Sequence, residues 1–322
     1  MAGSGTIRVG VAGWDYPDWS GLVYPAPAPR GFDRLAYLAG LFDAIELNVT
    51  FYRQPGPRAS RSWAGRVATR RDFRFTAKLH HSLTHAGRTP GAASSPYTGD
   101  LDLPALRADA DRYREGIDPL LQAGVLGAVL MQFPQSFHDL PASRRHLETL
   151  AGLLHGLPLV AEVRHNSWNH DEALRFLAGL GLGFCNVDQP RLGSTLPPTG
   201  HVTSRVAYIR LHGRNAENWF RSRAGNQESG RDAGALRYDY LYTMDELRPW
   251  IERAGRLADR AEEVFLIANN HYRGKAVANA LMVKSFLTGR RVPAPRPLVV
   301  ACRELGDFTV PAPSPDAQGR LF

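Results

Sequence analysis

Cysteine occurs only twice in 322 residues, at Cys185 and Cys302. Two thiols so far apart exclude a disulfide-stapled scaffold, and by themselves they make no zinc knuckle. Long hydrophobic runs are also missing. No stretch approaches the roughly 20 apolar residues that a bilayer-spanning helix needs. The opening MAGSGTIRVG lacks the basic-then-apolar order of a secretory signal. A reduced, cytoplasmic protein is the expectation. Lysine is nearly absent, with Lys78, Lys275 and Lys284 the only examples, so arginine carries most of the formal net charge of +8. That balance favours anionic partners such as nucleic acid or phosphates. It equally fits a GC-rich coding bias, which enriches Arg, Ala, Gly and Pro together. No block of consecutive arginines decides between the two.

A hydrophobic content of 43% with 22% charged residues marks a folded chain with one large core. Eight short apolar runs have strand character: Ile7–Ala12, Ala44–Asn48, Phe73–Lys78, Gly127–Gln132, Pro158–Val163, Gly183–Asp188, Val206–Leu211 and Val264–Asn269. Helical stripes lie between them, as at Leu35/Leu38/Phe42, Leu147/Leu150/Leu154, Leu174/Leu177/Leu180 and Leu281/Val283/Phe286. Thr243 and Glu246 form a capping box, with Tyr242 and Leu247 as a hydrophobic staple; Asn169 with Glu172 is a weaker box. Eight alternations of strand and helix predict a single α/β domain, a TIM-type (β/α)8 barrel over residues 1–292. A doubly wound sheet is the alternative. It would place a glycine-rich phosphate loop after the first strand, where this chain has Gly13-Trp14-Asp15-Tyr16-Pro17. Long connections follow strands one, three and seven. Residues 293–322 read as a Pro-rich C-terminal extension ending in a flexible tail.

Strand side chains alternate between faces. Glu46, Lys78, Gln132, Glu162, Arg164, Asp188, Arg210 and His212 alternate with apolar neighbours near strand C-termini, as do Asn48 and Asn270. If the apolar set packs under the helices, the polar set converges inside the upper barrel. The same reasoning puts Cys185, Val187, Phe265 and Ile267 under the helices. Buried charges are costly unless they pair or meet a ligand. Three acids (Glu46, Glu162, Asp188) face three bases (Lys78, Arg164, Arg210), so a closed salt-bridge network is the competing explanation.

The runs GWDYPDW, IELNVTFYRQP, KLHHSLTH, QFPQSF, EVRHNSW, VDQP, YIRLHGR and NNHYRGKAVANA occur in that order. In these motifs the chain resembles the YecE-like family, the domain of unknown function numbered seventy-two, from about Ile7 to Leu287. The resemblance implies a TIM-type barrel in a bacterial or archaeal cytoplasmic protein and supplies no reaction. Ala12 and Ala268 depart from the family pattern, where Ser and an aromatic residue are usual.

The chemistry these residues suggest is acid–base work around an anion. Glu162, His165, Asp188 and His212 are the catalytic candidates. Lys78, Arg164, Arg210 and Arg214 can hold a phosphate or carboxylate. Glu46, Asn48, Gln132, Asn269 and Asn270 add hydrogen-bonding groups, and Trp14 and Tyr52 offer stacking faces or simply cap the core. Glu46, Glu162, Asp188 and His212 are also the candidate ligands for a divalent metal, in a metal-assisted hydrolase or isomerase. The final Gln318-Gly-Arg-Leu321-Phe322 resembles the bacterial sliding-clamp-binding motif, which offers one amide and two apolar anchors to a groove. Three readings follow. The first is an enzyme on a phosphate-bearing or other anionic substrate, with a link to nucleic-acid metabolism. The second is a non-catalytic nucleic-acid-associated protein docked to the clamp. The third is a sugar or small-metabolite enzyme.

Overall fold

A computed structural model describes residues 5–85, 101–219 and 236–312. Eight parallel strands close into a barrel in chain order: β1 (Thr6–Ala12), β2 (Ala44–Leu47), β3 (Arg74–Lys78), β4 (Leu126–Gln132), β5 (Leu159–Glu162), β6 (Gly183–Asp188), β7 (Val206–Leu211) and β8 (Glu263–Ala268). β8 returns to β1, from Thr6 opposite Glu263 to Val11 opposite Ala268, so the sheet has no open edge. Each strand coincides with one of the apolar runs, with ends that move by at most one residue.

The helices are α1 (Arg34–Ala39), α2 (Val49–Tyr52), α3 (Pro57–Arg66), α4 (His81–Thr84), α5 (Leu103–Gln122), α6 (Pro141–Leu153), α7 (Asp171–Gly179), α8 (Met244–Ala258), α9 (Lys275–Thr288) and α10 (Arg296–Ala301). Their apolar stripes cover the barrel, as with Leu147 and Leu150 of α6 and Leu247, Trp250 and Ile251 of α8. No helix among the described residues is long and apolar enough to cross a membrane. The capping box of α8 forms: Glu246 N donates to Thr243 Oγ1 at 3.4 Å, and Thr243 N donates to Glu246 Oε2 at 3.0 Å. The second box does not form. His170 occupies the N-cap of α7, while Asn169 Oδ1 lies 2.8 Å from His201 Nε2 and Glu172 accepts from Arg144.

Residues 293–312 are folded against the barrel. β9 (Val292–Ala294) pairs with β10 (Thr309–Pro311), and Leu298 and Leu305 are buried where this segment packs on α9. That cover explains why α9 is buried on nearly every side. The clamp-like Gln318, Leu321 and Phe322 lie outside the described residues.

Register identifies the interior face, because residues opposite each other in a parallel pair point the same way. Glu46 lies opposite Thr76, Lys78 opposite Leu130, Gln132 opposite Glu162, and Arg210 opposite both Val187 and Ile267. The interior set therefore includes Glu46, Thr76, Lys78, Gln132, Glu162, Tyr208 and Arg210, as expected. It also includes Cys185, Val187, Phe265 and Ile267, which corrects the expectation for β6 and β8. Asp188 lies opposite Leu211, on the helix side. Phe265 fills the barrel floor. A Cβ on Gly127 of the facing strand would lie 2.3 Å from its Cζ, so that position has room only for glycine. Tyr208 lies opposite Phe265 on the neighbouring strand, with the two ring centres 5.9 Å apart.

Candidate functional site at the barrel mouth

Arg210 is the hub of the interior. Its fully buried guanidinium grips Glu46 with two hydrogen bonds, Nε to Oε2 at 3.0 Å and Nη2 to Oε1 at 2.6 Å. Nη1 donates to Glu162 Oε2 at 2.8 Å and to Gln132 Oε1 at 2.8 Å, and Nη2 reaches Asn269 Oδ1 at 3.2 Å. Tyr208 supports the same carboxylate from below, donating to Glu46 Oε2 at 2.9 Å, and its hydroxyl lies 2.8 Å from Thr76 Oγ1. Arg164 doubles back onto Glu162 Oε1 through Nε at 2.9 Å and Nη2 at 2.7 Å. Burial opposes the ionisation of Glu162, but Arg210 and Arg164 outweigh it and hold the carboxyl well below the usual range.

The protonation of His212 follows from donor logic. Arginine can only donate, so the Asn269 oxygen faces Arg210 and its amide NH2 faces His212 Nδ1 at 3.0 Å. Nδ1 is then an acceptor, and the ring proton sits on Nε2. That atom is 3.3 Å from Glu162 Oε1, at an angle short of a hydrogen bond. Burial pushes His212 down to about 3 against the pull of Glu162, so the ring is neutral at pH 7.

Above this network lies a cavity of about 220 Å³. Its basic groups are Lys78, Arg164 and Arg237, with His85 on the same wall; its aromatic walls include Phe51, Tyr52, Trp219 and Tyr238. Lys78 Nζ is 4.0 Å from Glu46 Oε1 and 5.5 Å from the Phe51 ring centre. Burial and then Arg210 lower its pKa from 10.5 to about 7, with Glu46 and Glu162 pulling the other way.

Eight of the candidates thus meet in one cluster: Glu46, Lys78, Gln132, Glu162, Arg164, Arg210, His212 and Asn269. Tyr52 joins them on the cavity wall, with 67% of its surface exposed. Others sit elsewhere. Asp188 binds the outer shell, accepting from Arg214 at 2.9 and 2.7 Å, Tyr242 at 2.9 Å and Trp250 at 2.5 Å. Asp188 and Arg214 therefore brace α8 and leave the ring. Asn270 likewise points outward, donating to the Tyr240 carbonyl and to Asn279 of α9. His165 stacks on His138 at 3.8 Å and receives the Ser167 backbone N–H. Trp14 packs edge-on against Trp63. Asn48 donates to Tyr16 Oη at 3.2 Å, beside the ring. The four proposed metal ligands do not assemble, since Asp188 lies behind the sheet and Arg210 bridges Glu46 and Glu162. No group of three or more His, Cys, Asp or Glu among the described residues could hold a metal ion.

Sequence reasoning missed Arg237, Tyr238, Trp219 and Thr195 of the cavity wall. They lie in connections, where no periodicity reports orientation; the long connection after β7 was the one available signal for Trp219, Arg237 and Tyr238, and Thr195, between β6 and β7, had none.

Comparison with known proteins agrees with this architecture. The chain is 24% identical over 287 residues to the UPF0759 protein YunF of Bacillus subtilis (strain 168), covering 87% of this chain and 94% of that one. The crystal structure of a DUF72 family protein (TM1631) from Thermotoga maritima MSB8 superposes with a TM-score of 0.68 at 31% identity, over 88% of this chain and 99% of that one. A DUF72 family protein (EF0366) from Enterococcus faecalis V583 has the same fold, with a TM-score of 0.69 at 23% identity over 88% and 96% of the two chains. The family described as protein of unknown function DUF72 matches residues 8–299, and the chain belongs to that family.

Proposed function

We propose that this barrel is an enzyme for a small anionic substrate, with a phosphate-bearing compound the first class to test. The observation that carries the reading is the charge count at the mouth. With Asp188 paired outside the sheet, Glu46 and Glu162 face three bases, Lys78, Arg164 and Arg210. A closed salt-bridge network would balance. This one has a base in excess, and the excess borders a cavity that also receives Arg237. An oxyanion there completes the charge balance, and arginine suits it through paired N–H donors. The aromatic walls fit a substrate with a flat or apolar portion.

Binding of inorganic phosphate, followed by thermal shift and calorimetry, tests this. Arg237→Ala should weaken binding roughly tenfold, the scale of one charge-assisted hydrogen bond. Arg237 is a fair probe because it stacks on Tyr238 at 4.6 Å and carries none of the buried network. Phosphate binding indifferent to both Arg237→Ala and Arg164→Ala would sink the proposal.

A second reading rests on Gln318, Leu321 and Phe322 alone, as a docking segment for the DNA sliding clamp. Deleting Leu321 and Phe322 should abolish recovery of the chain on immobilised clamp; unchanged recovery dismisses it.

A further inference from the structure

The chain has three lysines, and two are occupied. Lys275 is paired with Asp239; Lys284 donates to Asp43 Oδ1 at 2.8 Å and to the Leu41 carbonyl at 2.9 Å. Lys78 differs. Among the described residues the one carboxylate within 4.0 Å is Glu46, and that oxygen already takes a 2.6 Å hydrogen bond from Arg210. The backbone beneath Lys78 is anchored, because its carbonyl accepts from Thr50 Oγ1 at 2.7 Å and Tyr113 Oη at 3.1 Å. The side chain reaches the wall of the mouth cavity over the Phe51 ring and is 10% exposed. The same cavity holds Arg164 and Arg237.

We propose that Lys78 is a carbonyl-condensing amine, forming a reversible imine with a small aldehyde or ketone that bears an oxyanion group. The inference rests on the anion-site reading for its grip on the substrate, and adds the reacting atom and the substrate class. Arg164 and Arg237 hold the oxyanion, which leaves the carbonyl for Nζ. The free-base amine attacks the carbonyl carbon; the C–N bond forms and the carbonyl oxygen takes a proton. Loss of that oxygen as water then gives the imine, so amine plus carbonyl become imine plus one water. Protonated, the imine draws electrons from the neighbouring carbon, the requirement for proton removal or carbon–carbon cleavage there. Burial and the nearby Arg210 leave a large fraction of Lys78 in the free-base form at neutral pH. Lys275 and Lys284 are each engaged by an aspartate, Asp239 and Asp43.

The test is borohydride trapping of the full chain with glyoxylate and, separately, with glycolaldehyde phosphate, followed by peptide mass mapping. The two probes separate carboxylate from phosphate recognition, and only a few amines compete. The expected result is an adduct on the Lys78 peptide, in roughly tenfold excess over the Lys275 and Lys284 peptides, because an aspartate-paired amine is a poor nucleophile. It should be suppressed by inorganic phosphate and absent in Lys78→Arg. Mapping the unaltered chain keeps the test valid even if that variant folds poorly. Adducts absent, or spread evenly over Lys78, Lys275, Lys284 and the terminal amine, overturn the imine. If phosphate still raises the melting temperature in that case, the anion site stands without it. If phosphate and glyoxylate both leave the melting temperature unchanged and no adduct forms, both readings fall.

Discussion

Arg210 donates to two carboxylates that nothing else in the barrel can fully satisfy, so its removal should be more damaging than its size suggests. Arg210→Met takes away the cation shared by the buried Glu46 and Glu162, leaving Glu46 with Tyr208 and Lys78 and Glu162 with Arg164, and breaking such a pair costs about 3–5 kcal/mol. The urea midpoint of the variant should fall accordingly. Lys78 gives a residue-scale prediction of opposite sense. Its folded pKa of about 7 lies below the ordinary 10.5. Between these values the unfolded chain holds a proton that the folded chain has released, so raising pH favours the fold. The penalty for burying the amine is complete below the folded value, shrinks by about 1.4 kcal/mol per pH unit across that window and is gone above it. In Lys78→Met this pH dependence disappears. Denaturation of both proteins at pH 7 and pH 9 reads the difference, and equal slopes would show that Lys78 is an ordinary ammonium. Parity of polar residues found most of this cluster from the sequence, because Glu46, Lys78, Glu162, Arg164 and Arg210 alternate with residues that pack under helices. It misled at Asp188 and Asn270, where the polar side chain serves a helix.

At the scale of elements, β6 and β8, which turn apolar Cys185, Val187, Phe265 and Ile267 inward, explain that failure. Both are buried on two faces, as barrel strands are. Polarity then distinguishes the faces only if polar partners lie on one side. Asp188 and Asn270 found theirs outside: Asp188 in Trp250 of α8 and in Tyr242 and Arg214, Asn270 in Asn279 of α9. Inside, Cys185, Val187, Phe265 and Ile267 supply the apolar wall beside Tyr208 and Arg210 of β7. Asp188 therefore acts on stability. Asp188→Asn should destabilise by about 1.5–3 kcal/mol, the scale of hydrogen bonds to a charged group, and leave phosphate affinity unchanged. A selective loss of affinity at unaltered melting temperature would return Asp188 to the ligand site. The helix start at Thr243 was readable because a capping box is local; the start of α7 was not, because Asn169 is drawn away by His201.

For the whole molecule, the excess base at the mouth links ligand binding to protons. An oxyanion held by Arg164 and Arg237 in the cavity that Lys78 also lines draws the lysine pKa partway upward and leaves a free-base fraction, so binding of inorganic phosphate at pH 8 should take up a fraction of a proton. Calorimetry in two buffers of different ionisation enthalpy measures that uptake, and identical heats would exclude Lys78 from the anion's surroundings. The sequence alone determined the barrel: eight apolar runs at strand length, separated by helical stripes, leave few other ways to bury both periodicities. It also determined that the strand ends carry charge. Only the tertiary structure decided which charges share a space. That choice depends on closure, which places β8 beside β1 and sets Arg210 within reach of Glu46 across the barrel, 164 positions apart in the chain. Alternation reports which residues share a face of one strand, but the partners that determine whether that face looks inward lie on other strands and on the helices outside.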